Sequence, residues 1–311
     1  LLCISTPALA SFQCGLHLPK LDNNDTQTRH ARSIIGGKVV TTPGKWPWHL
    51  ILDNDYGVCG GTLISPQWVL TAAHCVHSLE DVILYKGAIM QPRMQVLRET
   101  NGTGPLRFIA GAKNYSDFKD ILLTVAEIRI HAGWNYSSIV NDIALLKLET
   151  PQTYTREVSP ICLPSPSQFI PVDGQAVATG IGKINIPGTN NITDMDGKLR
   201  EVIVPIKSKE DCEKSFSDDQ KQLRKVICAN SLNHGLHSGD SGGPLMMKAS
   251  DGRWFQLGVF SFQSMVEIGV EDKINAFTDI RPYCDWIREQ TDGEVKCQEE
   301  EVNLEDVEIK T

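Results

Sequence analysis

The segment Gly239-Asp240-Ser241-Gly242-Gly243-Pro244 sets one hydroxyl group and one acid among three glycines. A serine hydroxyl is a poor nucleophile at neutral pH, so it needs an imidazole to accept its proton and a carboxylate to orient that imidazole. Two earlier segments supply these groups: Leu70-Thr71-Ala72-Ala73-His74-Cys75 and Asn141-Asp142-Ile143-Ala144-Leu145-Leu146. His74, Asp142 and Ser241 are therefore candidate catalytic residues, provided that the fold brings these distant segments together.

The order of these residues along the chain narrows the class of protein. A His, Asp, Ser order differs from that of subtilisins and α/β-hydrolases, although Gly239 to Gly243 formally fits the Gly-x-Ser-x-Gly elbow of the latter. Together with Ile34-Ile35-Gly36-Gly37, Trp46-Pro47-Trp48, Cys59-Gly60-Gly61-Thr62-Leu63-Ile64 and Pro160-Ile161-Cys162-Leu163-Pro164, the three segments make the chain resemble the chymotrypsin/trypsin family of serine proteases. The resemblance runs from about Ile34 to Ile287.

The resemblance implies a specific chemistry. Ser241 attacks a peptide carbonyl, His74 shuttles the proton, and Asp142 orients His74. The backbone N–H groups of Gly239 and Ser241 form the oxyanion hole. The implied substrates are proteins or peptides, hydrolysed without a cofactor, and protease inhibitors and an activating protease are the other expected partners.

The resemblance also implies activation by cleavage before Ile34, whose new amine pairs with Asp240. Here the sequence reads Arg32-Ser33-Ile34, so a cut after Arg32 leaves one residue too many. Three alternatives follow: cleavage after Ser33, trimming of Ser33, or no proper activation. A protease that prefers small residues, including this one, could cut after Ser33.

The pattern of short apolar runs separated by Gly, Pro, Asn and Asp is typical of an all-β sandwich or barrel. Together with the resemblance it predicts an all-β fold of two antiparallel β-barrels with a C-terminal helix over Ile280 to Gln290 and a short turn at Ser208 to Ser215. The predicted strands are Trp48 to Leu52, Gly61 to Ile64, Trp68 to Ala72, Val82 to Lys86, Leu122 to His131, Ile143 to Leu148, Val177 to Gly180, Leu199 to Pro205, Phe255 to Phe262 and Ile274 to Thr278.

Composition excludes other classes. The 311 residues are 41% hydrophobic and 22% charged, which is ordinary for a globular protein and excludes disorder or fibres for most of the chain. The net charge of -8 and the lack of a basic patch argue against nucleic-acid binding. The charge-free stretch 56–79 contains glycines, a proline and histidines, so it is read as buried strands and a turn, not as a membrane span. No spacing of Cys and His predicts a zinc site, and Glu80 and Asp81 are too few for calcium.

Composition and the resemblance together predict that the chain divides into four parts. Residues 1–10 end in Ala-Leu-Ala and resemble the remnant of a secretory signal peptide, with an apolar N-terminus as the alternative. Residues 11–33 are a propeptide, and 34–290 a peptidase domain in which about 90–120 is a glycosylated surface insertion. Residues 291–311 are an acidic tail, either a solvated terminus or an interaction segment.

Cysteines and sequons indicate secretion to an oxidising, extracellular compartment. Removal of Cys3 with the signal leaves eight cysteines. The resemblance in part implies the pairs Cys14–Cys162, Cys59–Cys75 and Cys212–Cys228, and the two that remain give Cys284–Cys297. Five Asn-x-Ser/Thr sequons predict glycosylation at Asn24, Asn101, Asn114, Asn135 and Asn191.

The predicted specificity pocket departs from the family pattern. Gly235 stands where an acid would select Arg or Lys, so trypsin-like specificity is not expected. His237 replaces a cysteine whose usual partner is also missing. The wall consists of Ser261, Phe262 and Gln263, and Asn275 replaces a second glycine; Gln263 and Asn275 would narrow or plug the pocket, admitting a small or polar residue or none. The alternative to an enzyme is therefore a catalytically impaired homologue that acts as a binding or regulatory module.

Overall fold

A computed structural model describes most of the chain from residue 37 onwards, together with a short segment around Cys14. The described residues are 13–16, 37–54, 57–76, 83–85, 88–91, 107–110, 122–185, 192–193, 197–214, 216, 225–229, 236–263 and 274–307.

Eighteen β-strands run through these residues. The first nine are β1 (Lys38–Val39), β2 (His49–Asn54), β3 (Gly57–Leu63), β4 (Trp68–Thr71), β5 (Ile83–Tyr85), β6 (Ala88–Gln91), β7 (Arg107–Ala110), β8 (Leu122–His131) and β9 (Ala144–Leu148). The second nine are β10 (Gln175–Gly180), β11 (Ile184–Asn185), β12 (Ile192–Thr193), β13 (Arg200–Pro205), β14 (Val226–Ala229), β15 (Pro244–Ala249), β16 (Trp254–Gln263), β17 (Asn275–Asp279) and β18 (Leu304–Glu305).

The first sheet closes on itself. Its strands follow the order β5-β6-β8-β7-β2-β3-β4-β9, and β8 also pairs with β9, so β2, β3, β4, β9, β8 and β7 form a ring. Trp48, just before β2, and Leu50, Leu63, Trp68 and Leu70 lie in its core with 0–1% of their surface exposed. Residues 107–110, within the stretch treated above as an insertion, form β7 and therefore belong to this barrel.

The second sheet follows the order β1-β13-β10-β15-β16-β17-β14. A bridge between Ile206, which follows β13, and Ala229 of β14 joins its two ends, and the Lys207 N–H donates to Cys228 O at 2.8 Å. Buried β15 and β16 side chains such as Leu245 and Phe260 fill the interior. The predicted all-β fold with two antiparallel sheets is confirmed.

The described residues contain two short α-helices, which lie outside the sheets. Helix α1 (Lys209–Lys214) begins after Ser208, whose hydroxyl accepts the Asp211 N–H at 3.1 Å and so caps the helix. A 3₁₀ turn (Arg281–Tyr283) leads into α2 (Cys284–Gln290), the predicted C-terminal helix. In the described part of the chain, no helix combines the length and apolar character needed to cross a membrane.

Glycines bring the two barrels into backbone contact. A Cβ atom on Gly60 of β3 would lie 2.8 Å from Gly243 Cα, and one on Gly242 would lie 2.3 Å from both Gly60 O and the Thr71 hydroxyl. The Gly60 N–H donates to Ser241 O at 2.6 Å. Only glycines permit this approach, which holds the Ser241 loop against the first barrel.

Four disulfides are present, and they join Cys14–Cys162, Cys59–Cys75, Cys212–Cys228 and Cys284–Cys297. Cys59–Cys75 ties β3 to the 3₁₀ turn Ala73–Cys75, which carries His74. Cys14–Cys162 fixes the residues around Cys14 to the second barrel, where Trp254 N–H donates to Gly15 O at 2.9 Å.

The tail lies on the second barrel as far as residue 307. Strand β18 pairs with the end of β15, and the Gln168 side chain bonds both the N–H and the C=O of Val302 at 2.9 Å. The Gln175 N–H donates to the Asp306 carboxylate at 2.8 Å. The described tail is thus packed on the protein, and Glu294 at its start accepts the Ser65 hydroxyl at 2.7 Å and the Trp68 Nε1–H at 3.1 Å in the first barrel.

Candidate active site

His74 and Asp142 meet at the cleft between the barrels. His74 Nδ1 lies 2.7 Å from Asp142 Oδ2, and the His74 backbone N–H donates to Oδ1 at 2.9 Å. The Asp142 side chain is fully buried, whereas the His74 side chain is 26% exposed. The carboxylate therefore fixes the ring at Nδ1, while Nε2 on the opposite ring edge lies 3.8 Å from Cys75 Sγ.

Two residues of the second barrel hold Asp142 in place. The Ser261 hydroxyl donates to Asp142 Oδ2 at 2.5 Å, and the Thr278 hydroxyl donates to Asp142 O at 2.9 Å. Ser261 is the extra residue of a β-bulge in β16, because Phe260 pairs with Phe277 and Phe262 with Ala276. Bulges of this kind re-aim a side chain next to a site. Ser261, predicted as a pocket wall, thus also bonds the carboxylate.

The turn before Asp142 has an unusual backbone. Asn141 has a φ of 56°, in the left-handed region that asparagine tolerates better than most residues. Its side-chain amide donates to Gly133 O at 2.8 Å, and its Oδ1 accepts the Tyr283 hydroxyl at 2.9 Å. These bonds stabilise the turn that aims Asp142 at His74.

Burial lowers the pKa of His74, but the negative charge of Asp142 and the hydrogen bond to it raise it, and the net change is upward from 6.5. The raised pKa makes the ring a better proton acceptor. Within the described residues, no hydrogen bond joins His74 Nε2 to the Ser241 hydroxyl; such bonds are commonly long in unliganded sites and shorten when substrate binds.

The loop around Ser241 presents two unused donors. Gly239 has a φ of 100°, a conformation that glycine adopts readily. Neither the Gly239 N–H nor the Ser241 N–H donates to another described residue, although the neighbouring Asp240, Gly242 and Gly243 amides all do. Two free donors beside a nucleophile are what an oxyanion hole requires.

The side chain of Asp240, a residue of this loop, is buried beneath it. Its Oδ1 accepts the Gly182 N–H at 2.6 Å and its Oδ2 accepts the His237 N–H at 2.8 Å. Burial raises the pKa of this carboxyl to about 6, and the two backbone hydrogen bonds and the charge of Arg200 reduce the rise. A Cβ on Gly180 or Gly182 would come within 2.5 Å of the carboxylate. The glycines thus make room for a buried acid that is poorly neutralised.

The predicted specificity pocket contains a bridge of two carboxamides. Gln263 pairs with Asn275 across β16 and β17, and its Nε2 donates to Asn275 Oδ1 at 3.1 Å and to Leu236 O. Asn275 is 0% exposed, and its Nδ2 has no hydrogen-bond partner among the described residues. Phe262 packs against Phe216, with ring centroids 5.4 Å apart. Gly235 lies outside the described residues.

His237, in the place of the missing cysteine, takes part in the same loop. Its Nδ1 accepts the Ser238 N–H at 2.7 Å, and its backbone O accepts the Asp240 N–H at 3.0 Å. The ring therefore stabilises the turn that leads to Gly239.

The remaining predicted residues are partly outside the described chain. Ile34, Asn24, Asn101, Asn114 and Asn191 lie outside it. Asn135 is exposed, and its Oδ1 accepts the Ser138 N–H at 3.0 Å. The metal-ligand types that cluster in the described chain are Cys59, His74 and Cys75, and the two cysteines form a disulfide, so neither is a free thiolate.

The two antiparallel sheets and the arrangement of His74 and Asp142 are those of a serine protease, and comparison with known proteins identifies the family. The family model named Trypsin matches residues 34–287, and the chain belongs to this family of serine proteases. Bovine coagulation factor XI is 30% identical over 286 residues, which cover 89% of this chain. The match spans 41% of that relative's length.

Several residues of the site were missed by sequence reasoning. Gly180 and Gly182 cradle Asp240, and Thr278 anchors Asp142. Gly180 ends a predicted strand and Gly182 follows two residues later. Two glycines at this spacing were the only sequence feature that indicated a close contact here. Their role depends on a carboxylate nearly sixty residues away, which only the fold brings close.

Proposed function

We propose that the protein is a secreted, N-glycosylated serine endopeptidase, made as a zymogen, whose specificity is for residues other than Arg or Lys before the scissile bond. The observation that carries this proposal is the hydrogen-bonded chain from Ser261 through Asp142 to His74, beside a Ser241 loop with two free amides. No residue of the catalytic set is substituted.

In the proposed mechanism, the Ser241 oxygen attacks the peptide carbonyl as His74 Nε2 takes its proton. The carbonyl oxygen becomes an oxyanion that accepts hydrogen bonds from the Gly239 and Ser241 amides. Asp142 keeps the proton on Nδ1 and stabilises the imidazolium. His74 then gives its proton to the leaving amine, which yields an acyl-enzyme on Ser241. Water repeats the sequence and releases the acid product.

Activation in this proposal is the pairing of the Ile34 amine with Asp240. The raised pKa of Asp240 supports it, because a buried carboxylate without a cation is costly and a nearby amine removes that cost. The Cys14–Cys162 disulfide would keep the propeptide attached after cleavage. Four disulfides and the exposed sequon at Asn135 support secretion. Protein substrates, protease inhibitors and an activating protease are the proposed partners.

A second candidate is a catalytically impaired homologue that binds a partner. The hydrogen bonds of Gln263 to Leu236 and Asn275 favour it, since they occupy space where a substrate side chain would enter.

A fluorophosphonate probe separates the two candidates, because it reacts only with an activated serine and needs no pocket for a large side chain. Residues 29–33 are replaced by Asp-Asp-Asp-Asp-Lys, so that enteropeptidase creates an Ile34 terminus. We expect labelling of the cleaved protein and none of the Ser241→Ala control. A folded protein that starts at Ile34 and stays unlabelled would overturn the endopeptidase proposal and leave the binding module as the candidate to test.

A further inference from the structure

We propose that a groove on the second barrel, between α1, β14 and residues 170–173, binds a fatty acid or a similar aliphatic monocarboxylate. This α1–β14 groove is defined by Ile170, Val172, Ile206, Lys207, Phe216 and Ile227. None of the three catalytic residues lines it, so the proposal goes beyond the proposed peptidase function. The class of ligand follows from three features of the groove: apolar walls, paired backbone groups and one cation.

The walls of the α1–β14 groove are mainly apolar. The cavity measures about 270 Å³, close to the lower limit of about 300 Å³ for typical ligand pockets. Ile206 and Ile227 are buried and lie at its base, whereas Val172 is 57% exposed and lies at its rim. Phe169, three residues before Val172, is 69% exposed. A hydrocarbon chain that lies against Val172 would remove this apolar surface from water.

The backbone along the base of the groove already has partners. The Ile206 N–H donates to Gly174 O at 3.0 Å, and Ile206 O accepts the Asp173 N–H at 2.7 Å. The Lys207 N–H donates to Cys228 O at 2.8 Å. A peptide brings a donor and an acceptor with each residue, and these groups need partners when they are buried. Because the backbone groups at this base are taken, a hydrocarbon chain fits the groove better than a peptide.

The charged side chains of the groove leave one cation over. Arg281 is bound to Asp279, with Nη2 at 2.7 Å from Oδ2 and Nε at 3.0 Å from Oδ1. Lys209 Nζ lies 3.8 Å from Glu213 Oε1. The remaining lining cation, Lys207, is half-buried, and no carboxylate of the described residues lies within ion-pair distance of it. A single anionic group is therefore the complement of this groove.

Asp211 is the described carboxylate on which the charge of Lys207 acts. The Ser208 hydroxyl and Lys214 are the main causes of its lowered pKa, and Lys207 contributes least. Asp211 is bonded to that hydroxyl at 2.9 Å and to Lys214 Nζ at 3.2 Å. Lys207 thus remains available to a ligand.

The segment that joins Phe216 to β14 lies outside the described residues, and its composition does not change the sign of this charge. Residues 217–224 contain two Asp, one Lys and one Arg, so their net charge is zero. A ligand with one carboxylate at Lys207 and a hydrocarbon chain against Ile206 and Val172 satisfies all three features.

The first test measures binding of radiolabelled decanoate to the full, uncleaved chain by equilibrium dialysis. We expect Lys207→Gln to bind decanoate about tenfold more weakly than the wild type, because it loses a charge-assisted hydrogen bond. The matched control is Lys38→Gln, an exposed lysine of β1, which should bind as the wild type does. Equal affinity of Lys207→Gln and wild type, or no binding at about 1 mM decanoate, would overturn the inference.

The second test concerns the hydrocarbon chain. From hexanoate through octanoate to decanoate, we expect the affinity to rise about fourfold for each added carbon that leaves water. Val172→Asp, a change at an exposed position, should weaken decanoate binding by about tenfold or more, because it places a carboxylate at the rim. An affinity that does not depend on chain length, or that Val172→Asp leaves unchanged, would show that the groove does not hold the ligand.

A third test separates the groove from the catalytic cleft. Protein that starts at Ile34 is labelled at Ser241 with fluorophosphonate, and decanoate binding is measured again. We expect the affinity to be unchanged, whereas loss of binding would place decanoate in the cleft and contradict the inference. Lys207→Gln and Val172→Asp make the same distinction in the uncleaved chain, so the result does not depend on peptidase activity.

Discussion

The catalytic centre and the predicted specificity pocket share the Ser241 loop and strand β16, yet they differ in how many of the residues expected from the family are present. His74, Asp142 and the Ser241 loop keep every group that acyl transfer requires, and their bonds run between the two barrels. In the pocket, side chains replace glycines and one disulfide position holds His237. Under the proposed function, the reaction depends on a few fixed groups, whereas recognition depends on wall residues that change without disturbing them.

Asp142→Asn should produce the largest loss. The amide cannot hold His74 in the productive tautomer, so we expect kcat to fall by about 10⁴-fold. The acid limb of kcat/KM, which reports the His74 pKa, should lie above pH 6.5 in the wild type and move to lower pH in any residual activity.

The control for this variant is Asp251→Asn, whose carboxylate bonds only Arg253 on the surface. It should retain full activity. If Asp142→Asn kept activity within tenfold of the wild type, the proposed role of the carboxylate would be wrong.

The next prediction concerns the pH dependence of stability that Asp240 causes. This dependence should differ between the uncleaved chain and the form that starts at Ile34. Because the folded pKa of Asp240, about 6, exceeds the ordinary 3.8, the folded protein keeps a proton that the unfolded chain releases. Stability due to this group is therefore full below pH 3.8 and is lost as pH rises through 6. The difference between these two pKa values, at about 1.4 kcal/mol per pKa unit, lowers the free energy of unfolding by about 3 kcal/mol over this pH range.

We expect the uncleaved chain to show this loss in urea unfolding between pH 4 and pH 7. The form that starts at Ile34 should show less of it, since its amine pairs with the carboxylate. Identical pH dependence in both forms would contradict the proposed activation.

A pocket that admits only a small residue, as expected from the sequence, predicts that the protease cuts its own activation segment after Ser33. The substrate is uncleaved Ser241→Ala protein, mixed with processed wild type, and the appearance of the Ile34 terminus is followed by N-terminal sequencing. Adding Ser33→Arg to the substrate should slow release by about 30-fold, whereas the matched Ser33→Ala should leave the rate unchanged. Equal rates for the arginine and alanine substrates would show that the pocket does not select the residue.

The smallest effect concerns the tail. A chain that stops after Gln298 loses β18 and the bonds of Val302 and Asp306 to the second barrel. Since these bonds lie at the surface, we expect a loss of about 1 kcal/mol and a Tm lower by about 2–4 °C. Labelling of Ser241 should be unchanged; a large change would connect the tail to the active site.

Much of the fold could be predicted because strands such as β8 and β17 contain apolar runs, which indicate a strand from the local sequence alone. β7 was missed because it lies in a stretch rich in Gly, Pro and sequons that suggested a surface insertion, and β14 because its four residues pair with β17, far along the chain. The path of the tail was also missed, because its charged composition resembles a free terminus and its ladder bonds are made by the backbone.

The candidate catalytic residues could be named from three motifs, whereas their supports could not. The bond of Ser261 to Asp142 depends on a bulge in β16, and the cradle of Asp240 depends on two glycines of another strand. The replacement of pocket glycines was visible in the sequence. The bridge that Gln263 makes to Leu236 O was not, because it requires the register of β16 with β17 and the position of a separate loop.

The most direct test of an intact catalytic centre behind a narrowed pocket is the first turnover with p-nitrophenyl esters. The protein that starts at Ile34 is mixed with the esters of N-acetylalanine and N-acetylphenylalanine, and release of p-nitrophenol is followed by stopped flow. We predict a burst equal to the enzyme concentration with the alanine ester, a much slower phase with the phenylalanine ester, and no burst from Ser241→Ala. Absence of a burst with the alanine ester, or an equal burst with both esters, would contradict the account.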